Sequence, residues 1–552
     1  MEPIWKKHWP ASIDEAKLRL PEELLPVILA RQAKRVPDRT ALIFYGRELT
    51  FSELDDAVGR FAGWLQARGI GAGDRVAISL ENCPQFAIAY QGTLRAGAIA
   101  VCLNPMHKAV ELLHEFEDSG ARALVISDHG YSAVQTIRAQ TRLEVVAVTS
   151  YGEFLPAEPT LSPPASFLEP AAPCPDTEAF LDLLKSPPIP QVPRALDDTA
   201  LLQYTSGTTG TAKAAEITHR NIVANCELQH VYIGAADNDV ILGVLPWFHI
   251  TGMECQMNMM AYQGSTLVII GRFVLVTVLR AIERYRCTTT TLIATINIAI
   301  VNFPRTREFD LSSLRACFSG GAPLPPEIAR RWKVLTGYEL IEGYGMSETT
   351  APTHINPPHR PKYGTVGVPL PLTDARVVSL EDGLTELAPG QPGEIAVRGP
   401  QVTKGYWRRP DATRDALRDG WLLTGDIGFV DEEGYFTISE RKKDMLKVSG
   451  YSVFPAEVEA IIYRHPAIAE VGVVGVPDEY RGEDPVAFVV LKPEAKGKVS
   501  AEELAAWCRA EMAVYKAPRQ FRIVDALPKT ASGKILKRVL RDLARAEPGA
   551  SS

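Results

Sequence analysis

Helical and strand-like segments alternate along the first part of the chain, and this alternation constrains the fold more than any other feature. Thr50 and Glu53 form a capping box at the start of a helix whose apolar residues keep helical spacing until Gly69. Four apolar strand-like runs and a second helix follow: strands 76–80, 98–103, 123–127 and 145–148, and helix 110–116. Strands that alternate with helices usually pair in parallel, so we predict an α/β fold with helices covering both sheet faces.

Length and composition divide the chain into two predicted domains. Its 552 residues exceed what a single hydrophobic core supports. Eleven prolines between Pro156 and Pro193 indicate a surface excursion over 155–193, because proline disrupts central strands and long helices. Residues 441–552 carry 19 Lys and Arg against 15 Asp and Glu, whereas 1–440 carry 40 against 51. We predict a large N-terminal domain of layered sheets and helices (1–440) and a smaller α+β C-terminal domain (441–552).

The composition also excludes several classes of function. A net charge of −7 does not provide the positive field that nucleic-acid binding requires. The eight cysteines never come within three residues of one another, so they form neither a zinc knuckle nor a CxxC redox pair. We find no transmembrane segment, signal peptide or import sequence, and we predict a cytoplasmic protein that is a monomer or a homodimer.

A dense polar cluster follows the strand-like run 200–203 and has the composition of a polyphosphate-binding loop. Glycines allow backbone N–H groups to face a phosphate, hydroxyls add donors and a lysine adds charge. The cluster does not fit the Walker A spacing, and a polar surface turn is the alternative interpretation. The candidate phosphate-binding residues are Thr205, Ser206, Gly207, Thr208, Thr209, Gly210 and Lys213.

Six further motifs follow in a fixed order, at 245–249, 319–323, 343–349, 420–426, 441–450 and 528–534. With them the sequence strongly resembles the adenylate-forming superfamily of acyl-CoA synthetases, luciferases and peptide-synthetase adenylation domains. The resemblance covers about residues 50–541. The N-terminal segment 5–10 and the overall length are most similar to fatty acyl-CoA synthetases.

The motifs have physical interpretations that agree with this resemblance. The small residues Gly320, Gly321 and Ala322 allow adenine to lie against the backbone, and Tyr344 offers a ring for stacking. Glu348 suits a Mg²⁺ ion whose other ligands are phosphate and water. The alternative interpretations are a glycine-rich turn for the first segment and a solvated surface acid for Glu348. The resemblance implies a nucleotide site that also includes Gly345, Ser347, Asp426 and Arg441.

Two departures from the family pattern affect the nucleotide motifs. The loop ends Thr209-Gly-Thr-Ala212-Lys213-Ala214, whereas the family has proline and glycine at the two alanines. Ala214 lacks glycine's access to positive φ, so loop closure or phosphate affinity is expected to change if that geometry is needed. Ser347 replaces the usual threonine and keeps its hydroxyl.

The acyl site is predicted around His249. In acyl-CoA synthetases the matching residue lines the acyl site, and the aspartate that amino-acid-activating relatives use is absent. Met253 and Met257 would lie on the same helical face as His249, and Trp247 precedes it, so these residues would form an adaptable apolar wall. The alternative is that they fill the core. We predict a medium-to-long, unbranched or aryl-tipped monocarboxylate.

The resemblance implies a two-step reaction that uses ATP, Mg²⁺ and CoA. A carboxylic acid and ATP give acyl-AMP and pyrophosphate, and CoA then takes the acyl group. Lys534, His249 and Glu348 are the catalytic candidates, Lys443 matches the hinge of a mobile C-terminal lid, and Lys447, Ser449 and Gly450 match the CoA face. Lys534 also lies in a pattern that lysine acetyltransferases modify. Alternatives are an aryl-acid CoA ligase, transfer to a carrier protein, a luciferase-like oxidation and a non-catalytic nucleotide sensor.

Overall fold

The computed structural model describes residues 3–205, 212–442, 444–449, 451–478, 481–529 and 535–546. The chain forms two compact units, each built from two stretches of sequence. The first comprises Met1–Asp374 and Arg398–Leu422, and the second Ala375–Val397 and Leu423–Ser552. The α/β class and the division into a large unit of layered sheets and a smaller C-terminal one are confirmed.

The strands of the described residues are, in chain order, β1 (Thr40–Phe44), β2 (Arg47–Thr50), β3 (Arg75–Ser79), β4 (Ile99–Cys102), β5 (Ala123–Ser127), β6 (Val145–Thr149), β7 (Glu178–Ala179), β8 (Thr199–Thr205), β9 (Lys213–Thr218), β10 (Val240–Gly243), β11 (Thr266–Ile269), β12 (Thr289–Ile293), β13 (Ala316–Gly320), β14 (Leu340–Met346), β15 (Ala351–Ile355), β16 (Val368–Pro369), β17 (Asp374–Val378), β18 (Gly393–Arg398), β19 (Leu417–Arg418), β20 (Trp421–Val430), β21 (Phe436–Arg441), β22 (Leu446–Val448), β23 (Tyr451–Val453), β24 (Ile468–Asp478), β25 (Gly482–Leu491) and β26 (Gln520–Ile523).

The α-helices are α1 (Leu25–Arg35), α2 (Phe51–Ala67), α3 (Pro84–Arg95), α4 (Ala109–Ser119), α5 (Asp128–Gln135), α6 (Phe180–Leu183), α7 (His219–Ile233), α8 (Ile250–Gly252), α9 (Met259–Gln263), α10 (Leu275–Tyr285), α11 (Ala294–Asn302), α12 (Pro326–Thr336), α13 (Pro410–Ala416), α14 (Pro455–Ile462), α15 (Ala501–Glu511) and α16 (Lys537–Ala546). Between α8 and α9 the segment Met253–Asn258 is a π-helix. Short 3₁₀ helices occupy Ile4–His8, Arg138–Gln140, Tyr151–Phe154, Ala165–Phe167, Thr306–Glu308, Ser347–Thr349 and Pro493–Ala495.

Two large sheets form the layers of the first unit. One has nine strands in the order β16-β15-β14-β13-β12-β10-β11-β1-β2, and its six central strands are parallel. The other has seven strands in the order β7-β6-β5-β3-β4-β8-β9, parallel except for the β8–β9 pair. Helix α3 is buried along its whole length and joins residues of both sheets in one hydrophobic core. The carboxyl ends of the parallel strands β10, β12, β13 and β14 form the edge that carries the motifs.

The second unit contains a sheet in which β17, β18 and β20 are neighbours and β21 pairs with β20. Its other sheet has the order β23-β22-β25-β24, with β26 on β25 and with helices α14 and α16 against β24. Helix α15 begins with a Ser500–Glu503 capping box and ends at Glu511.

Most of the predicted elements of the first unit are present. The Thr50–Glu53 capping box forms at the start of α2, and β5 coincides with the predicted strand 123–127. The proline-rich stretch contains only the two-residue edge strand β7, the four-residue helix α6 and one 3₁₀ turn, as its composition indicates. All eight cysteines are free thiols. Among the described residues, every helix is too short or too polar to cross a membrane.

Candidate active site

A cavity of about 780 Å³, which includes its open mouth, lies against one face of the nine-stranded sheet. Its glycine end is formed at the carboxyl edge of the sheet by Gly320, Gly321, Gly343 and Gly345. Ligands in α/β folds commonly bind at this edge. The far end lies at Asp239 and Gln263. The apolar residues of the wall are Ile233, Ala235, Ile241, Met259, Phe318, Ala351, Pro352 and Ile355, and its other members are Gln229, Thr251, Cys255, Thr289, Thr291 and Ser319.

The strand register gives the depth of the cavity. On β13, Gly320 lies opposite Ile293, four residues beyond Thr289 on β12. Thr289 in turn lies opposite Ile241 on β10, two residues beyond Asp239. Six residue steps at about 3.3 Å each correspond to about 20 Å between the glycine end and the far end. The cavity is therefore deep enough for an extended chain of many carbons.

The helical segment after His249 contributes one wall of the cavity through Thr251, Cys255 and Met259. Met253 and Met257, which were predicted to form an apolar wall with His249, do not line this cavity and are fully buried in the hydrophobic core. The lining residues have the same four-residue spacing as the predicted set but are displaced by two positions. A different face of the segment, which includes the π-helix, therefore meets the cavity.

Trp247 and His249 also lie outside the set of described residues that line the cavity. Trp247 is fully buried, and its ring packs edge-to-face on Phe86 with centroids 5.8 Å apart. His249 is partly buried at the N-cap of α8 and lies beside the ring of Phe248. The chain therefore places these two residues at the start of the wall segment, with Trp247 in the core.

Backbone requirements explain two of the glycines at the glycine end. Gly321 has a φ of +77°, which side chains with a Cβ rarely adopt. A Cβ on Gly345 would lie 1.8 Å from the carbonyl oxygen of Ala351, so only glycine fits this crossing of β14 and β15. Ala322 follows the turn and packs against the core. The small residues that the sequence analysis selected are thus held in close backbone approaches.

Tyr344 lines the cavity at the glycine end and pairs with His354 across β14 and β15. The two rings lie 5.8 Å apart between centroids. Burial lowers the pKa of His354 to about 3, so the imidazole beside Tyr344 is neutral near pH 7. Tyr344 therefore presents a ring next to small residues and without a positive charge from His354.

Glu348 and Lys213 are brought together by a residue that the sequence analysis missed. The Tyr406 hydroxyl donates to Oε1 of Glu348 at 2.7 Å. Lys213 Nζ lies 5.5 Å from the centroid of the Tyr406 ring. Glu348 is buried, whereas Lys213 is exposed at the start of β9. Tyr406 thus lies between an acidic and a basic candidate residue.

The backbone after Glu348 is strained. Thr350 and Ala351 have φ values of +51° and +77°, which are uncommon outside glycine. The Thr350 hydroxyl donates to the Gln401 carbonyl at 2.9 Å, and the Thr349 hydroxyl donates to the Ala351 carbonyl at 2.8 Å. Such strain persists where surrounding contacts hold it, often at functional sites. The partly buried Ser347 begins the short 3₁₀ turn that carries Glu348.

The predicted phosphate loop is flanked by two paired strands. Thr205 at the end of β8 lies opposite Lys213 at the start of β9, and its hydroxyl donates to the Lys213 carbonyl at 3.2 Å. Ala214 lies within β9 opposite Tyr204, where extended backbone requires no glycine. Several predicted residues lie outside the described part of the chain: Ser206, Gly207, Thr208, Thr209, Gly210, Lys443, Gly450 and Lys534.

In the second unit, Asp426 and Arg441 are directly opposed on β20 and β21. Arg441 Nε lies 2.7 Å from Oδ1 of the buried Asp426. Lys447 is exposed on β22, and Ser449 follows it with a φ of +51°. Asp426 and Arg441, predicted to contact the nucleotide, are therefore paired, and Lys447 and Ser449, predicted to face CoA, lie two residues apart at the end of β22.

A buried ionic cluster adjoins Arg441 in the same unit. Lys537 Nζ on α16 lies 3.0 Å from Glu440 Oε2 and 3.2 Å from Glu459 Oε1. The Ala456 N–H also donates to Glu440 Oε2 at 2.8 Å. Burial raises the pKa of Glu459, and the nearby Lys537 opposes that effect. The cluster ties the end of β21 to helices α14 and α16.

The sequence of this chain matches two protein families. The family described as AMP-binding enzyme matches residues 29–407, and the one described as AMP-binding enzyme C-terminal domain matches residues 457–534. The long-chain-fatty-acid–CoA ligase of Bacillus subtilis (strain 168) is 40% identical over 97% of both chains. The feruloyl-CoA synthase of an Amycolatopsis species is 37% identical over 93% of this chain and 97% of its own.

Among solved structures, the anthranilate CoA ligase AuaEII in complex with anthranoyl-AMP superposes with a TM-score of 0.87. It is 28% identical and covers 97% of this chain and 99% of its own. The fold, the cavity and these relatives define the class as an AMP-forming acid–thiol ligase. The chain belongs to the AMP-binding enzyme family, and the resemblance to adenylate-forming enzymes is confirmed.

Proposed function

We propose that the protein activates a long-chain apolar monocarboxylic acid with ATP and transfers the acyl group to CoA. The observation that carries this proposal is the deep, mainly apolar cavity whose glycine end lies at the carboxyl edge of the sheet. In the first step the acid attacks the α-phosphorus of ATP and releases pyrophosphate. In the second step the CoA thiol attacks the acyl carbon and releases AMP.

The residues proposed to bind the nucleotide come from several of the motifs. Adenine would lie on Gly320, Gly321 and Ala322 beside Tyr344 and Gly345, and Asp426 with Arg441 would hold the ribose. The phosphate chain would contact Ser347, Lys213 and the preceding loop. That loop comprises Thr205, Ser206, Gly207, Thr208, Thr209 and Gly210.

Glu348 is the proposed protein ligand of Mg²⁺. Among the described residues, no group of three acidic, histidine or cysteine side chains is placed to hold a metal ion. A single buried carboxylate nevertheless fits Mg²⁺, which keeps several waters and binds substrate phosphates. When bound, the ion would neutralise phosphate charge. The Tyr406 hydroxyl orients the Glu348 carboxylate for this role.

Two lysines would assist the first step. A carboxylate approaching phosphate brings two anions together, so preorganised positive charge lowers the barrier. Lys213 is held beside Tyr406, and Lys534 would bridge the carboxylate and the α-phosphate. His249, at the start of the wall segment, would lie near the reacting carbonyl.

For the second step we propose rotation of the C-terminal lid (441–552) about Lys443. The rotation would bring Lys447, Ser449 and Gly450 to the path of the CoA pantetheine. A pantetheinylated carrier protein offers the same thiol and remains the alternative acceptor. We also propose that a lysine acetyltransferase modifies Lys534, since loss of its charge would block the first step.

The depth of the cavity supports a long alkyl chain. An extended chain advances about 1.25 Å per carbon, from a C–C bond of about 1.5 Å and a tetrahedral angle. Because the nucleotide would occupy part of the glycine end, about 20 Å is an upper limit and corresponds to at most about 16 carbons, each buried methylene contributing up to about 0.8 kcal/mol. The feruloyl and anthranilate relatives support an aryl acid as the second candidate, although such acids would fill only part of this depth.

A pyrophosphate-release screen with ATP and Mg²⁺ across C2–C18 aliphatic acids and a panel of aryl acids tests the proposal. We expect kcat/KM to rise with chain length to a maximum between C12 and C16. Free CoA should then accept the acyl group faster than a pantetheinylated carrier protein. A maximum among the aryl acids would favour the second candidate, and nucleotide binding without pyrophosphate release from any acid would exclude the activity.

A further inference from the structure

The far end of the cavity carries polar groups, although the wall that leads to it is mainly apolar. Asp239, which precedes β10, and Gln263, the last residue of α9, both line the cavity. They are close together because the Thr266 N–H, three residues after Gln263, donates to the Asp239 carbonyl at 3.0 Å. A terminal methyl group would therefore meet amide and carboxylate groups at this end.

Asp239 is already satisfied by the protein. Its carboxylate accepts from the Thr288 hydroxyl at 2.6 Å and from the Ala236 N–H at 2.8 Å. Arg315 completes the set with a two-point contact, its Nε lying 2.9 Å from Oδ1 and its Nη2 contacting Oδ2. The aspartate charge is compensated, so Asp239 closes the cavity without needing a ligand.

Gln263 is different, because its amide oxygen lacks such a partner. The residue is 6% exposed, and Oε1 is shielded from solvent and accepts no hydrogen bond from the described residues. Buried polar atoms without a partner are rare, and those that occur often mark a site for a ligand or water. This oxygen belongs to a side chain that lines the far end of the cavity, where the end of a bound chain would be.

We propose that Gln263 is a specificity-determining residue for acids that carry a hydroxyl group at the end of a long linear chain. A half-turn of the Gln263 amide would bring Oε1 to the cavity surface, where the terminal hydroxyl would donate to it, and the chain would lie along the apolar wall. The inference rests on the proposed function and narrows its substrate class to ω-hydroxy acids. A plain alkyl acid of the same length would leave the amide oxygen without a partner, so it would lack the hydrogen bond that the ω-hydroxy acid gains.

The first test compares pairs of acids with the wild-type enzyme. Plain and ω-hydroxy acids of eight, twelve, fourteen and sixteen carbons are assayed for pyrophosphate release. At the length that reaches the far end, kcat/KM should be about tenfold higher for the ω-hydroxy acid. At eight carbons the hydroxyl would stop in the apolar part of the cavity, so the plain acid should be favoured. The absence of an ω-hydroxy preference at every length would overturn the inference.

The second test removes the acceptor. Gln263→Leu should abolish the ω-hydroxy preference at long chain lengths and improve activity with the plain acid. Gln66→Leu, a matched substitution at an exposed glutamine of α2, should keep the wild-type ratio. An unchanged ratio in Gln263→Leu would overturn the inference. If Gln263→Leu does not fold, the test rests on the pairs of acids with the wild-type enzyme and on the same ratio in Gln263→Met, which should also lose the ω-hydroxy preference.

The outcomes separate this inference from the proposed function. If plain and ω-hydroxy acids both release pyrophosphate equally well at every length, the proposed function stands and the inference fails. If no acid releases pyrophosphate, both fail. A parallel pair of aryl acids, with and without a 4-hydroxyl group, shows whether Gln263 favours the hydroxyl of a linear chain or that of an aromatic ring. A Gln263-dependent preference confined to that pair would overturn the linear assignment.

Discussion

The hydrogen bond from the Tyr406 hydroxyl to Glu348 can be removed without altering the rest of the residue. Tyr406→Phe keeps the ring beside Lys213 but removes the donor to Glu348 Oε1. Loss of a partner that orients a metal-binding carboxylate typically weakens metal affinity by about 10–100-fold. We expect the Mg²⁺ concentration for half-maximal pyrophosphate release to rise by about that factor.

Tyr338→Phe, at a partly exposed tyrosine elsewhere in the same unit, is the control. It should leave the Mg²⁺ dependence unchanged. An unchanged dependence in Tyr406→Phe as well would show that the hydroxyl does not orient Glu348 for metal binding.

Lys534 is expected to act in one half-reaction only. Lys534→Ala should lower acyl-AMP formation by about 10²–10³-fold, as when one preorganised charge-stabilising donor is removed. Thioester formation from supplied acyl-AMP and CoA should persist. Lys529→Ala is the matched control, because Lys529 lies nearby in sequence and pairs with Glu470 at 2.7 Å. Equal loss of both half-reactions in Lys534→Ala would refute the assigned role, as would full activity of a stoichiometrically acetylated enzyme.

Glu254 lies in the π-helix and provides a test of pH dependence. Burial raises its pKa to about 8, while Cys226 Sγ and Asn258 Nδ2 donate to it at 3.1 and 2.8 Å. An unfolded glutamate ionises near pH 4.5, so the folded state binds more protons between these two values. Stability should therefore fall as pH rises from about 4.5 to 8, by at most about 1.4 kcal/mol per pH unit.

Glu254→Gln removes this ionisation, so the Tm of the variant minus that of the wild type should be more positive at pH 8.5 than at pH 5. Thermal unfolding at the two pH values measures the difference. Glu158→Gln, at an exposed glutamate of the same unit, should show no such change. A difference that is the same at both pH values would mean that Glu254 stays ionised when folded.

Much of the candidate site was predictable from the sequence because its motifs are local. Gly320, Gly321 and Tyr344 lie within short segments whose composition suggests a nucleotide site. Tyr406 was not predictable, since it lies 58 residues from Glu348 and no spacing links the two. Its only sequence signal is an aromatic pair after a glycine, which many loops share.

Among the elements, the starts of helices were predicted well where they depend only on residues close together in the sequence. The capping box at Thr50 forms as expected because it depends on two residues three positions apart. The wall segment of the cavity differs, because the face that meets the cavity is displaced by two positions from the predicted face, although the four-residue spacing is the same. Which face of a buried helix meets the cavity depends on its packing against distant parts of the chain.

Substitutions on the cavity side and on the core side of this wall segment should have different effects, the first on acyl-chain preference and the second on stability. Cys255→Trp should fill part of the cavity and shift the kcat/KM optimum toward shorter acids along a C4–C18 series. Met257→Ala, on the core side, should lower the free energy of unfolding by about 2–5 kcal/mol with little change in the optimum. An unshifted optimum in Cys255→Trp would show that the acyl chain does not occupy this cavity.

At the scale of the whole molecule, the test concerns rotation of the C-terminal lid. Lys443→Pro would fix φ near −65° at the proposed hinge and so trap one conformation. We expect near-normal acyl-AMP formation and a collapse of CoA-dependent turnover. Lys443→Ala, which leaves the backbone free, should retain both steps. Unchanged turnover in the proline variant would place the hinge elsewhere.

The division into units adds a point that the sequence could not supply. Residues 375–397 and 423–440 belong to the same compact unit as the C-terminal residues, although they precede the charge boundary at 441. Composition marks where the charge changes, whereas compactness depends on which strands pair. Glu440 illustrates the difference, because its contacts with Lys537 on α16 join residues on the two sides of that boundary. A rotation about Lys443 would therefore have to exchange these contacts.

The π-helix at Met253–Asn258 has a consequence for how such enzymes diversify. A π-helical turn within an α-helix is equivalent to one inserted residue, and each residue of an α-helix turns the chain by about 100°. Loss of a single codon within this segment would thus rotate the residues on one side relative to those on the other. A different set of side chains would then face the cavity on one side of the deletion, without any change at the nucleotide motifs. A deletion of one residue here would therefore change the lining of the cavity in a single genetic event.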